Sequence, residues 1–143
     1  MHPYVKVPRY LIFFNKEQQM SYMALWIDHD HAKIFTFKNE DPEVLHLENR
    51  HHTNHHNSSR QENEKQEQLK KYFAEVHDKI LSAKGVLILG PGLAKNEFKS
   101  YLETHHPKGL AKSILGVETM DKATDNEVKA AAKKFFHKFN LFH

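Results

Sequence analysis

Cysteine is missing from this chain of 143 residues. Its absence excludes a disulfide framework, a cysteine-ligated zinc site and a cysteine nucleophile. Long apolar runs are missing as well. The longest one near the start, Tyr10 to Phe14, is far too short to span a membrane. That run also lacks the small-residue cleavage site of a signal peptide. We therefore expect a soluble, cytoplasmic protein that does not bind membranes.

Glycine and proline are scarce, with 5 of each, and 39% of the residues are hydrophobic. This composition is typical of a folded chain, and 143 residues are enough for one domain with a substantial core. The formal net charge is only +3, from 21 basic and 18 acidic residues, but 13 histidines add positive charge below neutral pH. The charge balance is therefore compatible with a polyanionic partner.

The first 21 residues differ from the rest of the chain. Pro3 and Pro8 interrupt them, and a polar gap at Lys16 to Gln19 separates them from the first periodic segment. We interpret residues 1–21 as an N-terminal extension and residues 22–143 as the folded domain. The alternative is that Tyr10 to Phe14 forms an ordinary edge strand.

Three strands are predicted after the extension. Met23 to Asp28 and Ala32 to Phe37 are β-rich, and they are separated by Asp28-His29-Asp30-His31, a sequence typical of tight hairpin turns. Val44 to Glu48 then alternates apolar and polar residues. The pattern predicts an antiparallel meander of three strands.

A strand, a turn and a helix follow one another in the second half of the sequence. Val86 to Leu89 is an unbroken apolar run, which predicts a central strand covered on both faces by helices. Gly90 and Gly92 supply backbone freedom for a turn into a helix, with Lys95 near its start. Because helix N-termini at the carboxyl ends of strands often bind anions, these three residues are a candidate anion site. The alternative is that the glycines only turn the chain.

Capping residues predict where the other helices begin and end. The segment from Arg50 to Gln61 has no apolar residue and no glycine, so we expect an exposed loop, followed by a long helix capped by Ser59. The second helix should end at His105 to Gly109, before a short turn and a strand at Ile114 to Glu118. Thr124, with a glutamate three residues later, predicts the start of a basic closing helix.

This predicted order is the layout of ribonuclease-H-like mixed sheets, an antiparallel meander followed by helix, strand, helix, strand and helix. Within it, Ile88 to Phe98 resembles the strand, turn and helix in the middle domain of Pelota and of eukaryotic and archaeal class-1 peptide-chain release factors. Leu25 to Phe35 and Gly116 to Thr119 look like the small single-domain bacterial relatives known as translational machinery proteins. The resemblance extends over about Met23 to Phe136 and includes no catalytic motif.

The resemblance implies a ribonuclease-H-like α/β domain related to translation termination and rescue factors. In release factors, the loop before the long helix carries Gly-Gly-Gln into the peptidyl-transferase centre, and the glycines allow the backbone shape that orients water. The matching loop here, Arg50 to Gln61, has no glycine, so peptide release is not expected. Pelota also lacks that motif and acts in ribosome rescue without hydrolysis. We therefore expect a non-enzymatic protein that binds the ribosome or structured RNA and needs no cofactor.

The basic and histidine side chains of this loop are the candidate RNA-binding residues, because arginine and imidazole groups contact phosphates and stack on unpaired bases. Two other interpretations stay open: a solvated polar loop, or a metal site formed by histidines four positions apart. The candidates are Arg50, His51, His52, His55, His56 and Arg60.

Two further hypotheses involve other residues. Ribonuclease-H-like folds include nucleases in which clustered carboxylates hold two metal ions, and Asp28, Asp30 and Glu48 are available for that role. Hairpin chemistry explains the two aspartates without catalysis.

The other hypothesis is self-association through four phenylalanines near the end of the chain. These are Phe135, Phe136, Phe139 and Phe142.

Overall fold

The computed structural model describes residues 21–38, 41–50 and 58–139, with residues 58–61 described only as part of a helix. The strand considered at Tyr10 to Phe14, the four histidines of the loop and Phe142 lie outside the described residues. Ser21, the last residue of the proposed extension, is described. It is buried, and its carbonyl accepts a hydrogen bond of 2.8 Å from the Lys84 N–H.

Five strands of the described residues form one mixed sheet. They are β1 (Tyr22–Ile27), β2 (His31–Phe37), β3 (Glu43–Glu48), β4 (Gly85–Gly90) and β5 (Ile114–Thr119). In the order β3-β2-β1-β4-β5, the pairs β1/β2 and β2/β3 are antiparallel, whereas β1/β4 and β4/β5 are parallel. The predicted meander and the two later strands are confirmed.

The strand β4 is fully buried and lies between two other strands, as its continuous apolar run predicts. Its predicted central position is wrong, because β1 occupies the middle of the sheet. Ala24 to Ile27 in β1 is also apolar and buried, so both strands satisfy the pattern of an interior strand. The two strands pair in parallel, with Leu25 beside Ile88.

Three helices cover the sheet in the described part of the chain: α1 (Ser58–Ile80), α2 (Ala94–His105) and α3 (Asp125–Lys138). A short 3-10 helix, Leu110–Ser113, leads into β5 and confirms the turn predicted there. None of these described helices combines the length and the apolar character needed to cross a membrane.

The predicted cap of α3 is confirmed. The Thr124 hydroxyl accepts a hydrogen bond of 3.2 Å from the Glu127 N–H, and the Glu127 carboxylate accepts one of 2.8 Å from the Thr124 N–H. These bonds satisfy N–H groups that the first turn of a helix leaves unpaired. The pKa of the Glu127 carboxyl is lowered, because hydrogen bonds from the Thr124 backbone N–H and from the Thr124 side chain favour its charged form.

The start of α1 differs from the prediction. The helix begins at Ser58, so the cap predicted at Ser59 is wrong, and Arg60 and Gln61 belong to the helix and not to the loop. The physical reason is that the first turns of α1 are polar, and no hydrophobic periodicity marks where the helix starts.

The helix α1 is longer than the sheet on which it packs. Its 23 residues span about 34 Å, whereas a six-residue strand spans about 20 Å. Tyr72 marks the level of the sheet edge, because its hydroxyl donates a hydrogen bond of 3.0 Å to the Asp28 carbonyl just after β1. The helix before this level extends beyond the sheet, and Glu62 to Glu67 is largely exposed.

Each face of the sheet has its own hydrophobic core. On one face, α1 and α2 contribute Val76 and Phe98, among others. On the other face, α3 contributes a stripe of residues four positions apart. These are Val128, Ala132 and Phe136.

Two of the four phenylalanines considered for self-association pack against the sheet on the α3 side of the fold. Phe136 is fully buried, with its ring centroid 5.5 Å from that of Phe37, so its side chain is not available to a second copy of the chain. Phe135 packs over Gly116, where an added Cβ would lie 3.1 Å from the phenylalanine ring. Phe139 is 54% exposed.

Candidate functional site

Four loops meet at one edge of the sheet. Because β1, β4 and β5 are parallel and β3 runs in the same direction as β1, their carboxyl ends lie at a common edge. Open α/β sheets usually bind ligands at this edge. The segments that follow these strands begin at Asp28, Asn49, Pro91 and Met120.

The hairpin turn after β1 is held by its first aspartate. The Asp28 carboxylate accepts hydrogen bonds from the N–H groups of Asp30 at 2.8 Å and of His31 at 2.7 Å. The Asp28 N–H donates to the His31 carbonyl at 3.0 Å and closes the turn. The predicted aspartate-rich hairpin is thus confirmed.

Asn49 ties the end of β3 to this turn. Its side-chain amide donates to the His29 carbonyl at 2.9 Å, and its backbone N–H donates to the Asp30 carbonyl at 2.8 Å. Asn49 is buried, whereas the following residue, Arg50, is exposed. The histidine-rich segment therefore starts from a fixed point at the carboxyl edge.

Gly90 has a different role from the one expected. Neither Gly90 nor Gly92 adopts a left-handed φ, so the expected use of glycine backbone freedom is wrong. A Cβ at Gly90 would lie 2.2 Å from the carbonyl oxygen of Ile27, because β1 and β4 approach closely at this point. The glycine is required for packing between the two strands.

Lys95, the cation of the candidate anion site, is turned toward its own loop. Its side chain is buried, and its ammonium group donates a hydrogen bond to the Gly92 carbonyl. An anion bound here would compete with that carbonyl for the ammonium group. The three residues of the candidate anion site lie together at the carboxyl edge, and anion binding there stays a prediction.

His29 and Glu97 link the hairpin turn to the first turn of α2. The His29 Nε2 and Glu97 Oε1 atoms are 2.5 Å apart, although the residues are 68 positions apart in the chain. Both side chains are about half exposed. His29 also lines a small cavity between the hairpin turn and the loop after β4, whereas Glu97 lies outside the lining of that cavity.

Asp125 joins α3 to β2 and β3 of the meander. Its carboxylate lies 3.3 Å from the Lys33 ammonium and 3.0 Å from the His46 ring nitrogen. Partial burial raises the pKa of Asp125, but hydrogen bonds from His46 and Lys33 outweigh that effect and hold the pKa below its usual value. Lys33 also donates to the Ala123 carbonyl at 2.9 Å and lies over the Trp26 ring.

The carboxylates considered for a nuclease line one cavity of about 400 Å³. Ligand atoms of Asp28, Asp30 and His31 all lie within 4.8 Å of one another, and Glu48 pairs with His31 across β2 and β3. Glu48 lines the cavity but is not part of the close group. Asp28 already accepts two backbone hydrogen bonds, so the turn explains its position without a metal ion.

The fold has recognisable relatives among solved structures. Pelota from Archaeoglobus fulgidus matches with a TM-score of 0.56 and 20% identity, over 88% of this chain and 34% of the Pelota chain. The fold resembles that of Pelota. Pelota from Thermoplasma acidophilum matches with a TM-score of 0.55 and 16% identity, over 93% of this chain and 38% of that protein. An archaeal translation termination factor matches with a TM-score of 0.50 and 21% identity, over 87% of this chain and 41% of the factor.

These matches confirm the resemblance to Pelota and to release factors that the sequence indicated, and they show a likeness of fold. The chain spans only 34% to 41% of the length of these three proteins, which suits the resemblance to a single domain of each. No protein-family model and no curated protein matches the chain.

In this Pelota-like fold, the structure brings together residues that sequence reasoning missed. Asn49 and the pairs His29/Glu97 and Lys33/Asp125 all connect segments that are distant in sequence. Their common signal is position. Asn49 and His29 follow the carboxyl ends of strands, Glu97 and Asp125 lie in the first turn of a helix, and Lys33 lies near the start of β2. Of the six candidate RNA-binding residues, the structure describes Arg50 at the sheet edge and Arg60 within α1.

Proposed function

We propose that this chain is a ribonuclease-H-like domain that acts in the cytoplasm by binding ribosomal or other structured RNA without hydrolysing it. The observation that carries the proposal is the fixed starting point of the histidine-rich loop. Asn49 holds the chain at the carboxyl edge through two hydrogen bonds, and Arg50 is exposed directly after it. The likeness of fold to Pelota and to a termination factor supports a role in translation.

The shape of α1 supports the same proposal. The segment from Arg50 to Ser58 connects the sheet edge to the end of a helix that extends beyond the sheet. Guanidinium and imidazole groups bind phosphates and stack on unpaired bases, so a basic, histidine-rich segment between the sheet edge and this helix suits RNA contact. The proposed RNA-binding residues are Arg50, His51, His52, His55, His56 and Arg60.

The absence of hydrolysis follows from composition. The segment from Arg50 to Gln61 has no glycine, so it cannot form the Gly-Gly-Gln backbone that orients water in release factors. We therefore propose a binding role in termination or rescue, with the ribosome as partner. A phosphate contact at Gly90, Gly92 and Lys95 is a subsidiary proposal, since that loop lies at the same edge.

Replacement of the six proposed RNA-binding residues by serine tests the main proposal. We expect weaker co-sedimentation with ribosomes and a flatter dependence of RNA affinity on salt, because fewer counterions are released from phosphate. The dependence on pH between about 6 and 7 should flatten as well, because imidazoles titrate there. Unfolding by urea should be unchanged.

A matched control removes two positive charges at the opposite edge of the sheet. Lys108 and Lys112 are exposed and precede β5, so the double serine variant should bind RNA like the wild type. The double variant of Arg50 and Arg60 should bind more weakly. Equal affinities for the two double variants would show that RNA contact is not centred on the loop, and peptidyl-tRNA hydrolysis by the wild type would refute the non-enzymatic role.

A metal-dependent nuclease is the second candidate, and the observation in its favour is the close group formed by Asp28, Asp30 and His31. Two-metal nucleases use such ligands to activate water. RNA cleavage that requires a divalent cation and is lost in Asp30→Asn would support it. A change in RNA binding on addition of zinc, lost with the loop histidines, would instead support a metal site in the loop.

A further inference from the structure

Two histidines stack on each other near the end of the fold opposite the candidate site. His77 lies in the last turn of α1, and His106 follows directly after α2. Their ring centroids are 3.7 Å apart, and the ring planes differ by 13°. His77 is only 6% exposed, and its Nδ1 atom lies 3.1 Å from the Asp78 carboxylate. The two rings therefore join the last turn of α1 to the residue that follows α2.

His106 also organises the connection from α2 to β5. Its N–H donates to the Leu102 carbonyl at 2.7 Å and ends the helix. Its carbonyl accepts hydrogen bonds from the N–H groups of Gly109 at 3.1 Å and Ala111 at 3.4 Å. A displacement of His106 would therefore disturb the end of α2 and the start of the 3-10 helix together.

Protonation opposes this arrangement. A proton on His106 places a positive charge at stacking distance from the His77 ring, which is out of water. The groups that face His106 are His77 and Asp78 on α1 and Tyr101 and His105 on α2. Burial, followed by His77 and His105, lowers the pKa of His106, and Asp78 offsets part of this effect.

We propose that the His77–His106 stack is an acid-sensitive clasp, which joins the ends of α1 and α2 when His106 is neutral and opens when His106 takes up a proton. The folded state holds His106 neutral to a lower pH than the unfolded state does. The stability that neutral His106 contributes is therefore fully present above the ordinary pKa of 6.5. It is lost progressively as the pH falls from there toward the lowered pKa of His106 in the folded state.

A variant that keeps the ring but cannot titrate tests the clasp. His106→Phe should flatten the pH dependence of stability between about pH 7.5 and about pH 5, a range in which imidazole titrates. As the pH falls over this range, the unfolding equilibrium constant of the wild type should increase more than that of the variant. The difference should be about tenfold for each unit by which folding lowers the pKa of His106. His137→Gln, which removes an exposed histidine on α3, should retain the dependence of the wild type.

Two measurements on the wild type test the same proposal without a variant. By NMR, the pKa of the His106 ring should lie below 6.5. After correction for the intrinsic exchange rate at each pH, the Gly109 and Ala111 amides should be less protected from hydrogen exchange near about pH 5 than at neutral pH. An ordinary or raised pKa for His106 would overturn the clasp. An identical pH dependence for His106→Phe and the wild type would overturn it as well, and if the variant does not fold, the NMR titration decides alone.

Discussion

Replacing Gly90 and Gly92 one at a time by alanine separates a packing role at the end of β4 from a ligand-binding role of the loop that follows. Gly90 is the last residue of β4, Gly92 lies in the loop two residues later, and neither has a left-handed φ. A Cβ at Gly90 would lie 2.2 Å from the Ile27 carbonyl oxygen, whereas a Cβ at Gly92 would meet nothing within 4 Å. Gly90→Ala should therefore destabilise the fold, and Gly92→Ala should not.

The close contact at Gly90 sets the expected loss of stability in Gly90→Ala. Overpacking inside a protein costs about 1–3 kcal/mol, and we expect the upper end here, because the obstructing atom belongs to the backbone of β1 and cannot rotate away. For a domain of this size, such a loss should lower the melting temperature by roughly 10 °C. Gly92→Ala should change the free energy of unfolding by less than about 0.5 kcal/mol.

Urea unfolding followed by tryptophan fluorescence measures both variants. Trp26 is the only tryptophan of the chain and is buried in β1, next to Ile27. Gly90→Ala should lower the transition midpoint with little change in slope, since the amount of surface exposed on unfolding is similar. Equal stability of the two variants would refute the packing argument. Lost phosphate binding by a Gly90→Ala variant of normal stability would restore the anion-binding role.

Two further predictions concern other parts of the fold. Asp125→Asn removes the partner of Lys33 and His46, and we expect a loss of about 0.5–1 kcal/mol at pH 7 in urea unfolding, because the carboxylate is partly exposed and screened. Since the pKa of Asp125 is lowered in the fold, this difference should disappear as the pH falls below 3.8, and a constant difference would contradict it. Deletion of residues 1–20 should leave a cooperative unfolding transition, because the described residues fill both faces of the sheet; a melting temperature much lower than that of the full chain would make Tyr10 to Phe14 a structural element.

Local patterns predicted most of the secondary structure. The strand predicted at Val44 to Glu48, the aspartates of the hairpin and the cap at Thr124 depend on neighbours within a few residues, and each is confirmed. The position of β4 in the sheet could not be predicted in this way. An apolar run such as Val86 to Leu89 reports burial on both faces, which any interior strand shares, and carries no information about which strand lies in the middle.

The candidate site depends on contacts that leave no local pattern. His29 meets Glu97 across 68 positions, and His46 meets Asp125 across 79. Gly90 shows a second limit of sequence reasoning, because a glycine needed for close backbone packing looks the same in sequence as a glycine needed for a turn. Reasoning from residue types therefore located the edge at which these groups gather, but not the pairs that they form.

The position of β1 between β2 and β4 affects how the chain folds. Its pairing with β2 closes a short hairpin, which forms rapidly. Its partners in β4 lie roughly 60 positions away, so this pairing has a high contact order and should form later. Until β4 arrives, one side of β1 is an open, apolar strand edge. The middle strand of the finished sheet is therefore where a newly made chain is most exposed to aggregation.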